Sequence, residues 1–263
     1  MADTEAPVVL SSRDARGVVT LTLNRPQALN ALSEAVLSGL LAEFRALAQD
    51  ETVRVVILAG AGKAFSAGHD LKEMRAAPSL DYYRNLFAAC SEVMLAIQAL
   101  PVPVIARVQG IATAAGCQLV AQCDLAVAAR DARFAVSGIN YGLFCSTPSV
   151  PLARNVGRKQ ALEMLFTGDF IDAETARDRG LVNRVAAPED LDAAVEEMVA
   201  KIVAKARVAI AAGKTQFYRQ VEAGTMEAYA IAAEAMACNM MDEAALDGVQ
   251  AFIDKRKAPS SGH

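Results

Sequence analysis

The chain has 263 residues, 54% of them hydrophobic and 21% charged, with a formal net charge of −4. This supports a substantial core and argues against disorder, and the acidic balance argues against non-specific nucleic-acid binding. No apolar run reaches the 18 residues of a membrane span, and five cysteines without paired spacing beside two histidines offer no His/Cys metal set. Residues 1–16 carry Asp3, Glu5 and Asp14 and no apolar or Arg-rich leader pattern, so the expectation is a cytoplasmic, reduced α/β protein.

Residues 18–24 alternate apolar and polar side chains and read as a half-exposed strand that Asn24-Arg25-Pro26-Gln27 interrupts. Ser33 is an N-cap candidate for a helix whose Val36, Leu40, Phe44 and Leu47 fall on one face. Residues 53–59 form a buried-type strand. A small-residue turn, Gly60-Ala61-Gly62, leads to Ala64-Phe65-Ser66-Ala67-Gly68-His69-Asp70, where Asp70 and Glu73 form an N-cap and N3 pair opening another helix. Strand, turn and capped helix leave backbone N–H groups without partners, the kind of donor that stabilises developing negative charge.

Leu86, Cys90, Val93, Met94 and Ile97 mark a helix that ends before Pro101. A strand over 104–108, a turn at Gly110, a helical stretch over 113–123 and a short strand over 124–129 follow. The alternation predicts right-handed crossovers and a largely parallel sheet. Residues 137–148 read as a long loop, and beyond it nearly everything is helical, with Gly180 closing one helix and Pro188 at the first position of another reaching about residue 206. Met226, Tyr229, Met236 and Met240 form stripes that a monomer leaves underburied, which points to oligomerisation through this region.

Several motifs in order resemble the enoyl-CoA hydratase/isomerase (crotonase) superfamily. They are Asn24-Arg25-Pro26 with Ala28-Leu29-Asn30-Ala31-Leu32; Phe65-Ser66-Ala67-Gly68 with Asp70-Leu71; Gly110 and Ala112 leading to Gly116-Cys117 and Cys123-Asp124; Thr167-Gly168-Asp169 with Gly180-Leu181-Val182; and the terminal Phe252-Ile253 with Lys255-Arg256-Lys257. The likeness covers about residues 8–257. It implies an α/β fold, a spiral of ββα repeats over residues 1–200 holding the CoA/acyl pocket, and a C-terminal helical region over 201–263 that trimerises, as a homotrimer or dimer of trimers.

It further implies an acyl-CoA partner, with coenzyme A entering as part of the substrate and no prosthetic group, metal, nucleic-acid or membrane partner. By motif position the backbone N–H groups of His69 and Ala115 form an oxyanion hole for the thioester carbonyl. Gln27, Ala28, Leu29, Ala67, Gly68, Asp70, Leu71, Lys72 and Gly116 match the part that cradles the CoA moiety and acyl group. Lys255 or Lys257 meets its phosphates, and Asn140, Tyr141 and Cys145 border the acyl pocket.

The two glutamates of family hydratases fall on Gln118 and Gly138, and neither carries a carboxylate. Glutamine neither gives nor takes a proton near neutral pH and glycine has no side chain, so ordinary hydration is not expected. The readings that stay open are a family lyase with weak hydration, a different CoA-thioester reaction (isomerisation, decarboxylation or thioester cleavage) and a non-catalytic acyl-CoA binding protein. Restoring both acids, Gln118→Glu with Gly138→Glu, is expected to raise hydration.

Overall fold

Strands β1 (Val9–Arg13) and β2 (Val18–Leu23) pair as an antiparallel hairpin at one edge of the main sheet. The structure, a computed structural model, describes residues 6–256. After the hairpin the chain enters helix α1 (Glu34–Ala48), whose start is fixed by Ser33 accepting from Val36 N–H at 3.3 Å. Val36, Leu37, Leu40, Phe44 and Leu47 then bury one helical face, each worth about 1.5–3 kcal/mol of apolar transfer for the larger side chains.

β3 (Val55–Gly60) returns parallel to β2, and is followed by α2 (Leu71–Ala76) and α3 (Leu80–Ala99). Next come β4 (Val104–Val108), the short β5 (Ile111–Thr113), α4 (Ala115–Gln122), β6 (Leu125–Ala129) and β7 (Arg133–Ala135). A 3-10 turn at Ser137–Tyr141 leads into α5 (Ser146–Asn155) and α6 (Arg158–Thr167). The last repeat comprises β8 (Ile171–Asp172), α7 (Ala173–Asp178), β9 (Arg184–Ala186) and α8 (Leu191–Val203).

The described residues thus build a six-stranded sheet in the order β1-β2-β3-β4-β6-β9, parallel beyond the first pair, and a three-stranded sheet β5-β7-β8. This is the α/β spiral expected, with the chain passing from the large sheet to the small one at β4–β5 and again at β6–β7. One face of the main sheet packs on α1, α3 and α4, and the other face, through Val55, Ile105 and Val127, packs on Leu191, Val195 and Val199 of α8.

The short strands β5, β7 and β8 fall in stretches too brief for a period of two to be read, and the expected helical start at 113 moves to Ala115 because Thr113 pairs in β5. The expected loop over 137–148 is half helical, with Pro148 and Pro151 carried in α5. Pro188 opens a 3-10 turn (Pro188–Asp190) that runs into α8, which stops at Val203.

Helices α9 (Arg207–Gln220), α10 (Thr225–Met240) and α11 (Glu243–Ile253) follow, and α9 and α10 bury no residue of their own. α9 is tied down by polar contacts instead. Lys214 Nζ donates to the carbonyls of Ile97 and Val102 at 2.9 and 3.0 Å and to Asp124 at 2.6 Å, and Tyr218 donates to the other Asp124 oxygen at 2.9 Å. No helix among the described residues is long and apolar enough to cross a membrane.

Candidate functional site

The turn after β3 is held by its cap and by one ion pair. The Asp70 side chain accepts from Lys72 N–H at 3.1 Å and Glu73 N–H at 3.5 Å, fixing the start of α2. Its second oxygen accepts from Arg25 at 3.0 Å, and the same guanidinium nitrogen donates to the Ala31 carbonyl. Burial alone would raise this carboxyl, but Arg25 and the two amides outweigh it and hold Asp70 below the usual range. Glu73 does not close the reciprocal box; it accepts from Glu34 N–H at 3.0 Å and ties α2 to α1.

A buried asparagine joins this turn to the loop before α1. Asn30, 1% exposed and left-handed at φ 53°, accepts from Arg25 N–H and donates to the carbonyls of Ala61 and Ala64. Its own carbonyl accepts from Ser66 Oγ at 2.9 Å, and that hydroxyl accepts from Gly68 N–H at 3.2 Å. Asn30 and Ser66 stand within the motifs, but nothing in their type or spacing shows that they frame the turn; their burial and hydrogen bonds do. Arg25 likewise escapes a sequence reading, because nothing in the spacing says it pairs with Asp70 45 residues away.

The second turn, between β5 and α4, lies against the first. Ser66 N–H donates to Ile111 at 3.1 Å and Thr113 N–H returns to Ser66 at 3.0 Å, a parallel bridge between Ser66 and Ala112. Gly68, at φ +87°, sits so close that a Cβ on it would lie 3.1 Å from Ala115 N, and a Cβ on Gly116 would lie 2.2 Å from the Ser66 carbonyl. Only glycine permits such approach. Ala114, a non-glycine at φ 50° and ψ −121°, turns the chain into α4. Leu32 N–H bonds to Gly68 and Asp70 N–H bonds to Leu32, so the bridge uses the flanking groups and leaves His69 N–H free. Among the described residues neither His69 N–H nor Ala115 N–H has a protein acceptor. Two unpartnered donors on adjoining turns, one at the positive end of a helix, can hold one oxyanion or polarised carbonyl.

The His69 imidazole is buried edge-on to Phe87, with ring centroids 5.5 Å apart, and neither ring nitrogen makes a hydrogen bond of ordinary geometry. Burial pushes its pKa down, against a weaker opposite pull from the Leu32 carbonyl, so the ring is neutral.

Gln27 and Ala28 lie in a 3-10 turn (Pro26–Ala28) capped by Leu29, and the Leu29 carbonyl accepts from Ala67 N–H at 3.0 Å, so the 27–29 loop borders the first turn. Leu71 and Lys72 are exposed on α2. Gln118 is 3% exposed and its Oε1 has no protein partner. Gly138 N–H donates to Cys145 Sγ at 3.3 Å, and burial raises the Cys145 thiol while this amide works the other way. Neighbouring Cys117 is pushed up to about 12 by burial, with Cys145 adding to it, so both sulfurs are thiols at neutral pH. Asn140 is exposed and its amide reaches the Gly168 carbonyl at 3.4 Å; Tyr141 is exposed. Lys255 is exposed at the end of α11 with no bond to either turn, and Lys257 lies outside the described residues.

These features sit in a chain that belongs to the enoyl-CoA hydratase/isomerase family, whose model matches residues 13–262. It is similar to enoyl-CoA hydratase domain-containing protein 3 of mouse, 45% identical over 95% of this chain and 84% of that one. The structure superposes on the crystal structure of an enoyl-CoA hydratase from Mycobacterium smegmatis with a TM-score of 0.97, at 66% identity over 98% of this chain and 100% of the other. The short-chain-enoyl-CoA hydratase of Clostridium acetobutylicum is 35% identical over 91% of this chain and 92% of its own.

The expectation of a cytoplasmic protein is corrected by these relatives: the mouse, rat, Xenopus laevis and human proteins matched over 92–95% of this chain are all named as mitochondrial.

Proposed function

We propose that the chain binds an acyl-CoA thioester with its carbonyl oxygen between the N–H groups of His69 and Ala115. The observation that carries this reading is the pair of unpartnered donors on turns that touch at Gly68 and Ala115. Such donors stabilise an enolate-like transition state, each worth about 10²–10³ in rate. The loop bearing Gln27, Ala28 and Leu29, with Ala67, Gly68, Asp70, Leu71, Lys72 and Gly116, forms the CoA cradle, and Lys255 meets its phosphates.

Water addition needs a proton donor and acceptor that Gln118 and Gly138 do not supply, at about 10²–10⁴ in rate per missing group. The activity is therefore a different reaction of a CoA thioester, of the isomerase, decarboxylase or thioesterase type. The missing carboxylates also favour a second reading, a non-catalytic acyl-CoA binding protein. Calorimetry with CoA and acyl-CoA esters, followed by a turnover panel at high protein concentration, separates the two: binding with no turnover selects the second reading, and no binding overturns both.

The same proposal includes a homotrimer or dimer of trimers built by the C-terminal helices. Met226 at 90%, Tyr229 at 75% and Phe252 at 85% exposure on the last two helices support it, since large apolar side chains left in water there are what a partner copy would cover. A monomeric mass by sedimentation would overturn it.

A further inference from the structure

Two bonds bring the 3-10 turn at Ser137–Tyr141 against the second donor turn. Ala114 N–H donates to the Ala135 carbonyl at 3.0 Å, and the Thr113 and Ser137 hydroxyls meet at 2.8 Å. Gly138 follows directly, and its N–H donates to Cys145 Sγ at 3.3 Å. The sulfur therefore stands beside the start of α4, where Ala115 N–H is free and Cys117 is its neighbour. Gln118, one turn along α4, is buried with its Oε1 unpartnered, and helical side chains lean toward the N-terminal end of their helix. Free donors and an unmatched acceptor mark this end of α4 as the place of a ligand, and a thiol adjoins it. Cys145 also has two features that a nucleophilic sulfur needs. It is the N-cap residue of α5, where the positive end of the helix favours a thiolate, and its side chain caps no helix amide. The Gly138 amide favours the same form, against burial, which favours the thiol.

We infer that Cys145 captures an α,β-unsaturated acyl-CoA as a covalent thioether, a further activity that rests on the proposed thioester site. The two N–H donors draw electrons toward the carbonyl oxygen and leave Cβ of the enoyl group electrophilic. The Cys145 proton leaves to solvent, a sulfur lone pair forms the Sγ–Cβ bond, and the C=C π pair moves onto the thioester oxygen between His69 and Ala115. The enolate then takes a proton from water at Cα. The sum is thiol plus enoyl ester giving a saturated thioether, with the thioester bond intact. No carboxylate takes part, so the absence of acids at Gln118 and Gly138 does not hinder the step. Burial keeps the thiolate scarce, so capture is slow and happens once per chain.

The test is intact-mass spectrometry of the full chain in thiol-free buffer with crotonyl-CoA and with saturated butyryl-CoA, beside calorimetry of both esters. Crotonyl-CoA is expected to add its whole mass once and butyryl-CoA nothing, and peptide mapping is expected to place the adduct on Cys145. The rate should rise about tenfold per pH unit from pH 7 to 8.5, as the thiolate fraction does. Cys145→Ser should abolish the adduct and Cys117→Ala retain it. Three results overturn the inference and leave the thioester site standing: crotonyl-CoA binding with no mass shift, an adduct mapped to the exposed Cys238, or a shift by the acyl group alone with CoA released. Failure of both esters to bind overturns the proposed function itself. The wild-type masses and map decide the matter without any variant having to fold.

Discussion

Gly138 and Cys145 occupy one place: the Gly138 N–H donates to Cys145 Sγ at 3.3 Å, and a Cβ built on Gly138 would lie 2.8 Å from that sulfur and 2.5 Å from the Leu143 carbonyl oxygen. The root of any side chain at 138 is therefore already filled by a thiol and a backbone carbonyl, and the carbonyl cannot rotate away as a side chain would. The expectation that Gln118→Glu with Gly138→Glu raises hydration is corrected on this ground. Gly138→Glu is expected to lower the urea midpoint by the equivalent of about 1–3 kcal/mol through overpacking. Gln118→Glu alone folds, and gives a small gain in crotonyl-CoA hydration that the double variant does not exceed.

The Arg25–Asp70 pair fixes the first turn. Arg25→Met is expected to cost about 1–3 kcal/mol at pH 7, since Asp70 stays partly buried without its cation. The folded-state pKa of Asp70 is depressed, so its contribution is present above the unfolded value near 3.9 and is lost as pH falls through the lower folded value. Urea titrations of wild type and variant at pH 7 and in strong acid check this: the gap between them should narrow at the acid end.

His69 offers a second pH signature of opposite origin. Its folded pKa lies below the ordinary value near 6.5, so the unfolded chain binds the extra proton first and stability falls as pH drops below about 6.5. His69→Leu, which keeps the apolar contact with Phe87, should flatten the stability profile between pH 7.5 and 5.5. An unchanged slope in chemical denaturation would place that titration elsewhere.

Lys214 holds α9 by three acceptors while being itself buried. Lys214→Met strands the Asp124 charge and two carbonyls, and should cost about 3–5 kcal/mol. Because α9 and α10 bury nothing of their own, the loss should show first as faster hydrogen exchange over residues 207–240, before the main sheet is affected.

Much of the fold was legible because it rests on local periodicity. The Ser33 cap and the Val36, Leu40, Phe44, Leu47 face of α1, and the Asp70 cap of α2, stand where spacing puts them. The two turns of the site were legible from small residues after strands. Three things were not. β5, β7 and β8 have three residues or fewer and carry no period. Asn30 and Ser66 act through burial that only the assembled fold creates. The Gly138–Cys145 contact arises from a loop that closes back on itself over seven residues, and glycine there read simply as a lost acid rather than as space taken by a sulfur.

The central claim, that a thioester carbonyl sits between His69 and Ala115 N–H, is tested most directly by isotope-edited infrared spectroscopy of an acyl-CoA labelled with ¹³C at the thioester carbonyl. Two backbone donors polarise the bond, so the labelled carbonyl stretch should move to lower frequency on binding relative to the free ester. A bound ester whose stretch matches that of the free ester in water would contradict the account.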